Sequence, residues 1–336
     1  MSSGNMRVVF IGSGEFGIPT LRALAVHREY RLQAVITQVD RPSGRHRLPT
    51  PCPAKAAALD LRLPIFQPEK IGSPTAIEQI RFLQPDVLVV VAYGQILSRE
   101  VLELPSQAAL NLHASLLPRH RGAAPIQAAL CGRDRETGVS VIWMDEGLDT
   151  GDILLSKKLL IRSTDTSGTL QARLAKLGSR AAVEALDRLA SGSAERMPQD
   201  PAQATYARKL RKEDGEIDWQ RDKWEIHAHV RAMNPWPIAY TWLREGGQVR
   251  MLKIFGTVVS IRASGRPGEI VRIDSHGILV AAGGSGGLLL RDVQLEGKRR
   301  MAAAEFARGV RLAVGAVLGA EELPVGYDRA AGGTLP

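Results

Sequence analysis

MRVVFIGSGEFGIPTLRALA, residues 6–25, has the pattern of a buried strand, a glycine turn and a helix. Gly12, Gly14 and Gly17 have the spacing of a dinucleotide-binding fingerprint, in which a glycine turn follows a strand and opens a helix. Pro19 fits the first turn of that helix, where its missing N–H group leaves no hydrogen bond unmade. This order is typical of the first strand and helix of an open α/β sheet.

The next segments continue the alternation of strands and helices. SPTAIEQIRFL, residues 73–83, predicts a helix with Ser73 as its N-terminal cap and Pro74 at its first position. DVLVVVAYG, residues 86–94, is the most continuous apolar run in the chain, and such runs are typical of parallel strands covered on both faces. We therefore predict an α/β N-terminal domain with a Rossmann-like, mostly parallel sheet.

The glycine turn alone does not identify its ligand. Asp40 ends the apolar run AVITQVD, residues 34–40, at nearly the distance at which a nicotinamide-dependent enzyme holds a ribose hydroxyl. Backbone N–H groups at the start of the helix could equally hold a substrate phosphate. This part of the chain therefore predicts an anion site, and an NAD(P)-dependent oxidoreductase stays among the alternatives.

A second polar group follows a later strand, in NLHASLLPRHRGAAP, residues 111–125. Because side chains alternate along a strand, Asn111 and His113 should share one face. An amide can donate to a developing oxyanion and an imidazole can move a proton near neutral pH, so the pair suits transfer of an acyl-type group. A histidine beside an asparagine is more often structural, so a third group is needed to favour catalysis.

An acidic loop supplies a candidate for that third group. MDEGLDTGD, residues 144–152, carries four carboxylates. Carboxylates in loops most often cap turns. Asp149, however, follows a strand that could align with that of His113, and a carboxylate near the imidazole would orient the ring. We therefore predict that Asp149 approaches His113.

RPSGRHRLPTPCPAKAA, residues 41–57, forms a basic loop without an acidic residue. Its prolines disfavour regular structure, and such a loop is usually a solvated connector. A loop that follows the carboxyl end of a strand in an open α/β sheet also lies beside the ligand crevice, where it could contact a nucleic-acid backbone. The formal net charge of +9 favours a polyanionic partner, although an arginine-rich surface can also be merely solvated.

The pattern changes after a long amphipathic helix at residues 166–193. We expect a catalytic domain over residues 1–192, a polar linker over residues 193–208 and a C-terminal domain over residues 209–336. Short strands joined by glycine turns in the last part predict a small antiparallel β-barrel of the OB-like kind. Such barrels commonly bind nucleic acid, so a non-catalytic RNA-binding protein is a further alternative.

Composition disfavours several classes of protein. The two cysteines, Cys52 and Cys131, are too few and too isolated for a disulfide framework or a zinc site, so we predict ordinary thiols and no metal. No apolar run reaches the roughly 18 residues of a membrane span. The start MSSGNMRVVF leaves no room for a signal peptide before the first strand. We expect a cytoplasmic protein without a membrane partner.

Several motifs along the chain share one family likeness. They are GSGEFGIP (12–19), DRPSGR (40–45), VAYGQIL (91–97), NLHASLLPRHRGAAPIQ (111–127), MDEGLDTGD (144–152), YARKL (206–210), EDGEIDW (213–219) and NPWPIAYTW (234–242). Together they resemble the folate-dependent formyltransferases that act on methionyl-tRNA. The resemblance implies transfer of a formyl group from 10-formyltetrahydrofolate to the α-amino group of methionine on initiator tRNA, without a metal or a covalent intermediate.

The same resemblance implies roles for particular residues. The working trio of the family falls on Asn111, His113 and Asp149. The folate would lie against Ser115, Leu116, Leu117 and Pro118, with help from Gln95, Ile96 and Leu97. The candidates for contact with the tRNA are basic residues of the loops, namely Arg41, Arg45, Arg47, Arg119, Arg121, Lys209, Arg211, Lys298 and Arg299.

Two departures from the family pattern limit the transfer of roles. Arg45, His46 and Arg47 make the basic loop poorer in lysine than is usual in the family, so the side chain that meets the acceptor end stays open. Ser98 stands where a proline is common. Relatives that formylate an amino sugar are the nearest alternative, but formyltransferase modules of other function are usually fused to a large partner domain. The tRNA enzyme, as a monomer, is therefore the expectation.

Overall fold

The computed structural model describes residues 5–43 and 48–319. The described chain divides into two compact units. The first contains the described residues up to Pro125, together with Glu136–Leu160 and Leu170–Ala207, and the second contains Ile126–Arg135, Ile161–Thr169 and the described residues from Arg208 onward.

The elements up to residue 207 alternate strands and helices. In chain order they are β1 (Met6–Gly12), α1 (Ile18–Val26), β2 (Tyr30–Ile36), β3 (Arg41–Ser43), β4 (Leu48–Thr50), α2 (Pro53–Asp60), β5 (Ile65–Phe66), α3 (Pro74–Phe82), β6 (Val87–Val91), α4 (Arg99–Leu102), β7 (Ala108–His113), β8 (Arg121–Gly122), α5 (Pro125–Cys131), β9 (Glu136–Trp143), β10 (Ile153–Leu160), α6 (Ser167–Ala190) and β11 (Tyr206–Ala207).

A seven-stranded sheet is the centre of the first unit, with strand order β10-β9-β7-β6-β1-β2-β5. The five strands from β7 to β5 run parallel, whereas β9 and β10 are antiparallel to their neighbours. Every residue of β6 is buried, as the continuous apolar run requires of a strand covered on both faces. The predicted Rossmann-like, mostly parallel sheet is confirmed.

Close packing explains the glycine turn after β1. A Cβ atom on Gly12 would lie 2.5 Å from the carbonyl oxygen of Val91, and one on Gly17 would lie 2.9 Å from the ring of Phe10. Both positions therefore require glycine for the approach of neighbouring elements, whatever the turn binds. The fingerprint spacing has a packing cause that does not depend on a dinucleotide.

Two predicted helices are present with nearly the predicted bounds. The side chain of Ser73 accepts a hydrogen bond from the backbone N–H of Ala76, which makes Ser73 the N-terminal cap of α3. The long amphipathic helix is α6, and Gly192 follows it with φ of +70°. A positive φ at this place is typical of a residue that ends a helix.

The polar stretch predicted as a linker makes backbone hydrogen bonds within the first unit. Met197 pairs with Ile153 of β10, and β11 pairs in parallel with β8. The stretch up to Ala207 is counted with that unit. Its part in connecting two functional domains stays a prediction.

An antiparallel sheet is the centre of the second unit. The elements after residue 207 are α7 (Lys223–Ala232), β12 (Ala239–Glu245), β13 (Gln248–Ser260), β14 (Ile270–Asp274), β15 (Gly277–Ala281), β16 (Gly287–Leu295), β17 (Met301–Ala302) and α8 (Ala303–Gly309). The order of the sheet is β12-β13-β16-β15-β14, with β17 also paired to β16. The predicted C-terminal antiparallel fold is confirmed.

The two outer strands of this sheet are joined through residues 315–319. The N–H of Ile270 donates to the carbonyl of Ala316 over 2.8 Å, and the N–H of Leu318 donates to Gly268 over 2.8 Å. On the other side, the N–H of Gly319 donates to the carbonyl of Trp242 in β12 over 2.9 Å. The segment therefore bridges β14 and β12, which gives the sheet a barrel-like closure.

Within residues 5–43 and 48–319, no helix combines the length and the apolar character needed to cross a membrane. Cys52 and Cys131 are both free, in keeping with the prediction of ordinary thiols.

Candidate active site

The carboxylate of Asp149 lies against both side chains that the sequence predicted as its partners, Asn111 and His113. Asn111 Nδ2 donates to Asp149 Oδ1 over 3.1 Å, and the backbone N–H of Gly122 donates to Asp149 Oδ2 over 2.8 Å. His113 Nδ1 lies 3.5 Å from the same Oδ2. The side chains of His113 and Asp149 are only 7% and 12% exposed. An amide, an imidazole and a carboxylate thus form one largely buried cluster at the end of β7, with His113 buried and Asn111 and Asp149 partly exposed.

The ring of His113 has an oxygen atom on each side. Nε2 donates to the carbonyl oxygen of His120 over 2.9 Å, and Nδ1 faces Asp149 Oδ2. A histidine can donate from both nitrogens only as an imidazolium. The surroundings therefore fix the orientation of the ring and suit a group that carries and transfers a proton.

The loop that carries Asp149 is fixed at its base and within its turn. Trp143 and Asp152 close the base through a backbone hydrogen bond of 2.9 Å. Asp145 Oδ1 accepts from the hydroxyl of Thr150 over 2.7 Å and from the N–H of Gly147 over 3.1 Å. Asp145 is therefore a turn-capping carboxylate, and the acid turned toward Asn111 is Asp149.

Gln199 supports the loop from outside, a contact that the sequence did not indicate. Its Nε2 donates to the carbonyl oxygens of Asp149 and Gly151 over 2.8 and 2.7 Å. Its Oε1 accepts from Arg121 Nε and Nη2 over 3.1 and 2.8 Å. Gln199 lies in a polar stretch without periodicity, so no spacing signal could have found it.

Arg121 is buried, which argues against its predicted contact with a nucleic acid. Only 4% of the residue is exposed, and its guanidinium donates to Gln199. Contact with a nucleic acid would require the guanidinium to give up both hydrogen bonds and leave Gln199 Oε1 without them. The corrected interpretation is that Arg121 holds the site together from within.

The residues predicted to form the folate wall, 115–118, continue from β7 and are fixed to β9. Ser115 is fully buried, and its hydroxyl donates to the carbonyl oxygen of Arg119 over 2.6 Å. Ser140 Oγ accepts from the N–H of Leu117 over 3.2 Å and donates to the carbonyl of Ser115 over 2.9 Å. Leu116 and Pro118 are the partly exposed members of the set.

The three residues predicted to assist at the end of β6 differ widely in exposure. Gln95 uses its side chain internally, since Oε1 accepts from the N–H of Ile71 over 3.0 Å and Nε2 donates to Glu69 over 3.0 Å. Leu97 is 4% exposed and packs in the core, whereas Ile96 is 88% exposed. Ile96 is therefore the side chain of this set that a ligand could contact.

Comparisons with known proteins match nearly the whole chain. A family model described as "Formyl transferase" matches residues 6–186, and one described as "Formyl transferase, C-terminal domain" matches residues 209–311. The methionyl-tRNA formyltransferase of Methylacidiphilum infernorum is 59% identical over 317 residues, which are 94% of this chain and 99% of that protein. The chain belongs to the methionyl-tRNA formyltransferase family. Members of this family transfer a formyl group from 10-formyltetrahydrofolate to methionyl-tRNA.

Two solved structures share the fold of this chain. HypX from Aquifex aeolicus in complex with tetrahydrofolic acid gives a TM-score of 0.62 at 17% identity, over 93% of this chain and 48% of that one. The N-formyltransferase of Helicobacter canadensis, in complex with folinic acid and dTDP-3-aminofucose, gives 0.63 at 14% identity, over 85% of this chain and 98% of that one. At such low identity the likeness concerns the fold alone.

Apart from the buried Arg121, the basic residues predicted to meet the tRNA fall into three groups. Arg41, Arg119, Lys209, Arg211 and Lys298 are exposed. Arg299 is also exposed but pairs with Glu305 over 2.7 Å. Arg45 and Arg47 lie outside the described residues. In a formyltransferase of this family, the exposed group is the one that could contact a phosphate backbone directly.

Asp40, the acid on which the NAD(P)-dependent oxidoreductase alternative depended, bonds to two neighbouring side chains. Lys55 Nζ lies 2.6 Å from Asp40 Oδ2, and Gln67 Nε2 donates to Asp40 Oδ1 over 2.9 Å. The hydrogen bonds from Lys55 and Gln67 lower the pKa of Asp40. Asp40 thus has structural partners of its own, and membership of the formyltransferase family accounts for the chain without a nicotinamide cofactor.

Proposed function

We propose that Asn111, His113 and Asp149 catalyse transfer of the formyl group of 10-formyltetrahydrofolate to the α-amino group of methionine on initiator methionyl-tRNA. The observation that carries the proposal is the shared carboxylate, which accepts from Asn111 Nδ2 and faces His113 Nδ1. The product would be N-formylmethionyl-tRNA for the initiation of translation.

Asn111 would stabilise the charge that develops on the formyl oxygen. When the neutral amine adds to the formyl carbon, that oxygen becomes an oxyanion. The amide nitrogen of Asn111 carries two N–H groups, and donation of one to Asp149 leaves a second for a substrate oxygen. A donor held in place before the reaction costs no reorganisation, which is the main advantage of oxyanion sites of this kind.

His113 would supply or accept protons, and Asp149 would hold it in place. Substrate would replace the carbonyl of His120 as the partner of Nε2, while Nδ1 keeps facing Asp149. A protonated ring could donate to the oxyanion, and a proton could pass to the departing N10 atom through a water molecule. The folate supplies the formyl group, and this chain supplies orientation and proton transfer.

The folate would lie along the residues that follow two neighbouring parallel strands. Residues 95–97 follow β6 and residues 115–118 follow β7, so both leave the sheet at its carboxyl edge. Ligands of open α/β sheets bind at this edge. Ile96, Leu116 and Pro118 offer exposed or partly exposed apolar surface there, while Ser115 and Leu117 would fix the backbone of the wall.

The tRNA would be held by the exposed basic residues and by the basic loop. We propose residues 1–192 as the catalytic domain, residues 193–208 as the linker and residues 209–336 as a tRNA-binding domain, in a monomer of the cytoplasm.

Replacing Arg45 and Arg47 with serine should weaken tRNA binding and flatten its salt dependence, because fewer counterions would be released. The measurement is the binding constant over a series of salt concentrations. An unchanged salt slope would return the loop to the role of a solvated connector.

The direct test is incubation of the protein with charged initiator methionyl-tRNA and 10-formyltetrahydrofolate. Formyl-methionine on the recovered tRNA is the expected product. A nucleotide-linked amino sugar serves as the competing acceptor, since relatives of the same fold include a sugar N-formyltransferase. Formylation of the sugar without formylation of the tRNA would overturn the proposal in favour of the amino-sugar alternative.

A further inference from the structure

Asp149 has a left-handed backbone conformation, with φ of +55°. Aspartate enters this region more readily than most residues with a Cβ atom, but the conformation still has a steric cost. The carboxylate can reach Asn111, His113 and the N–H of Gly122 only while the loop keeps this shape. Something outside the loop must therefore hold the peptide on either side of the turn.

Gln199 is placed to provide that support. Its Nε2 donates to the carbonyl of Asp149 itself and to the carbonyl of Gly151, two residues further on. One amide group thus fixes two carbonyls of the same turn and limits rotation of the peptide that carries Asp149. The residues matched by the two family models, 6–186 and 209–311, do not include Gln199.

Arg121 orients Gln199 in turn. The guanidinium is buried and donates two hydrogen bonds to Gln199 Oε1, which leaves Nε2 facing the carbonyls. Arg121 also precedes Gly122, whose N–H donates to the Asp149 carboxylate. The backbone and the side chain of the Asp149 loop are therefore both tied to the 121–122 segment.

We infer that Gln199 is a positioning residue for formyl transfer, which sets the turnover rate by holding the Asp149 carboxylate against Asn111 and His113, with Arg121 fixing its orientation. The inference rests on the proposed function of the trio. Gln199 contacts the backbone of the loop and not the side chains of the trio, so it acts through Asp149. A residue that orients a reacting side chain sets the geometry of the reaction, and a misplacement of about 1 Å can cost about 10²-fold in rate.

Gln199→Glu is the informative variant because it separates the two ends of the side chain. It keeps an oxygen acceptor for Arg121 but replaces the N–H donor with a second oxygen, which repels the carbonyls of Asp149 and Gly151. We expect kcat to fall on the order of 10- to 100-fold, with KM for both substrates nearly unchanged. Gln203→Ala is the matched control, because Gln203 lies in the same stretch and its side chain donates to Asp200 at an exposed turn, away from the Asp149 loop. It should keep the parent kcat.

A double substitution distinguishes positioning from general support of the fold. In single-turnover experiments on Asp149→Asn protein, adding Gln199→Glu should lower the rate much less than it does in the parent. The same fold-loss in both backgrounds would overturn the inference, and so would an unchanged kcat in Gln199→Glu. Gln199→Ala is the second variant, and circular dichroism measures whether each variant is folded. If Gln199→Ala and Gln199→Glu are both unfolded while Gln203→Ala is folded, Gln199 supports the fold in general and the inference is overturned. Full turnover of Asp149→Asn would instead refute the proposed role of the trio.

Discussion

Two aspartates at the same sheet, Asp40 and Asp149, both accept hydrogen bonds from neighbouring side chains, but their partners differ. Asp40 follows β2 and is held by Lys55, which cancels its charge, and by Gln67. Asp149 accepts from an amide and a backbone N–H and faces a histidine, with no lysine or arginine in an ion pair with it among the described residues. The first carboxylate is paired with a cation, whereas the second lies between an amide, a backbone N–H and the ring of His113.

The difference indicates how a structural acid can be told from one suited to chemistry. A carboxylate paired with a permanent cation contributes to the fold, and its proton is bound more weakly than usual. A carboxylate beside an imidazole forms a pair in which a proton can move near neutral pH. Sequence spacing made both acids candidate site residues. Their hydrogen-bond and ion-pair partners distinguish the structural acid from the one suited to catalysis.

The largest effect is expected from His113→Ala, which removes the proton-carrying group from the Asp149 cluster. Turnover in formyl transfer should fall by about 10²- to 10⁴-fold, the usual contribution of a general acid or base. Initial rates with methionyl-tRNA measure it. Binding of tRNA to the same variant should persist. Turnover equal to that of the parent would mean that His113, like the residues around Asp40, has only a structural role.

A somewhat smaller loss is expected from Asn111→Ala, which removes the amide but leaves the histidine. Loss of one oxyanion donor costs on the order of 10²- to 10³-fold in kcat. The measurement is kcat and KM at saturating folate. A change confined to KM would mean that Asn111 binds substrate equally in the ground and transition states and stabilises no charge.

The smallest effect on turnover is expected from Asp40→Asn, which should change stability instead. Because Lys55 and Gln67 lower the pKa of Asp40 below its ordinary value of 3.8, the ionised form stabilises the fold above that pH. This stabilisation is lost as the pH falls through the lowered pKa. Thermal unfolding should therefore show the variant less stable than the parent at neutral pH, with the gap closing below about pH 4. A large loss of kcat at unchanged stability would contradict the division between the two aspartates.

The pairing of Asn111 with His113 could be predicted because it depends on local geometry. A strand of alternating side chains puts residues two apart on one face, and both side chains contact Asp149. The mostly parallel sheet was likewise predictable from the apolar run of β6. A strand that is apolar at every position is typical of a parallel sheet covered on both faces, and every residue of β6 is buried.

The path of the acidic loop was not predictable in the same way. The strand before Asp149 does pair with that of His113, but the sequence did not give its direction: β9 runs antiparallel to β7, and Trp143 at its end lies opposite Leu110. The loop must therefore turn back along β7 to reach His113. The direction of a strand depends on contacts between distant segments, and neither alternation nor composition records it.

The burial of Arg121 and the part played by Gln199 also depend on distant contacts. Arg121 bonds to Gln199 and lies in β8, which pairs with β11, and both strands are only two residues long. A strand of that length has no detectable period. An arginine in a basic loop therefore looks like a surface residue until the segment that covers it is known.

The joining segment at residues 315–319 has a consequence for handling the protein. It supplies hydrogen-bond partners to Ile270 and Trp242 at the two outer strands of the second unit, and it lies past residue 311, where the C-terminal family model stops matching. A chain shortened to that match would leave two strand edges with unpaired backbone groups. Such edges pair with strands from other molecules. A truncation that keeps every residue of the family match would therefore make the protein prone to aggregation.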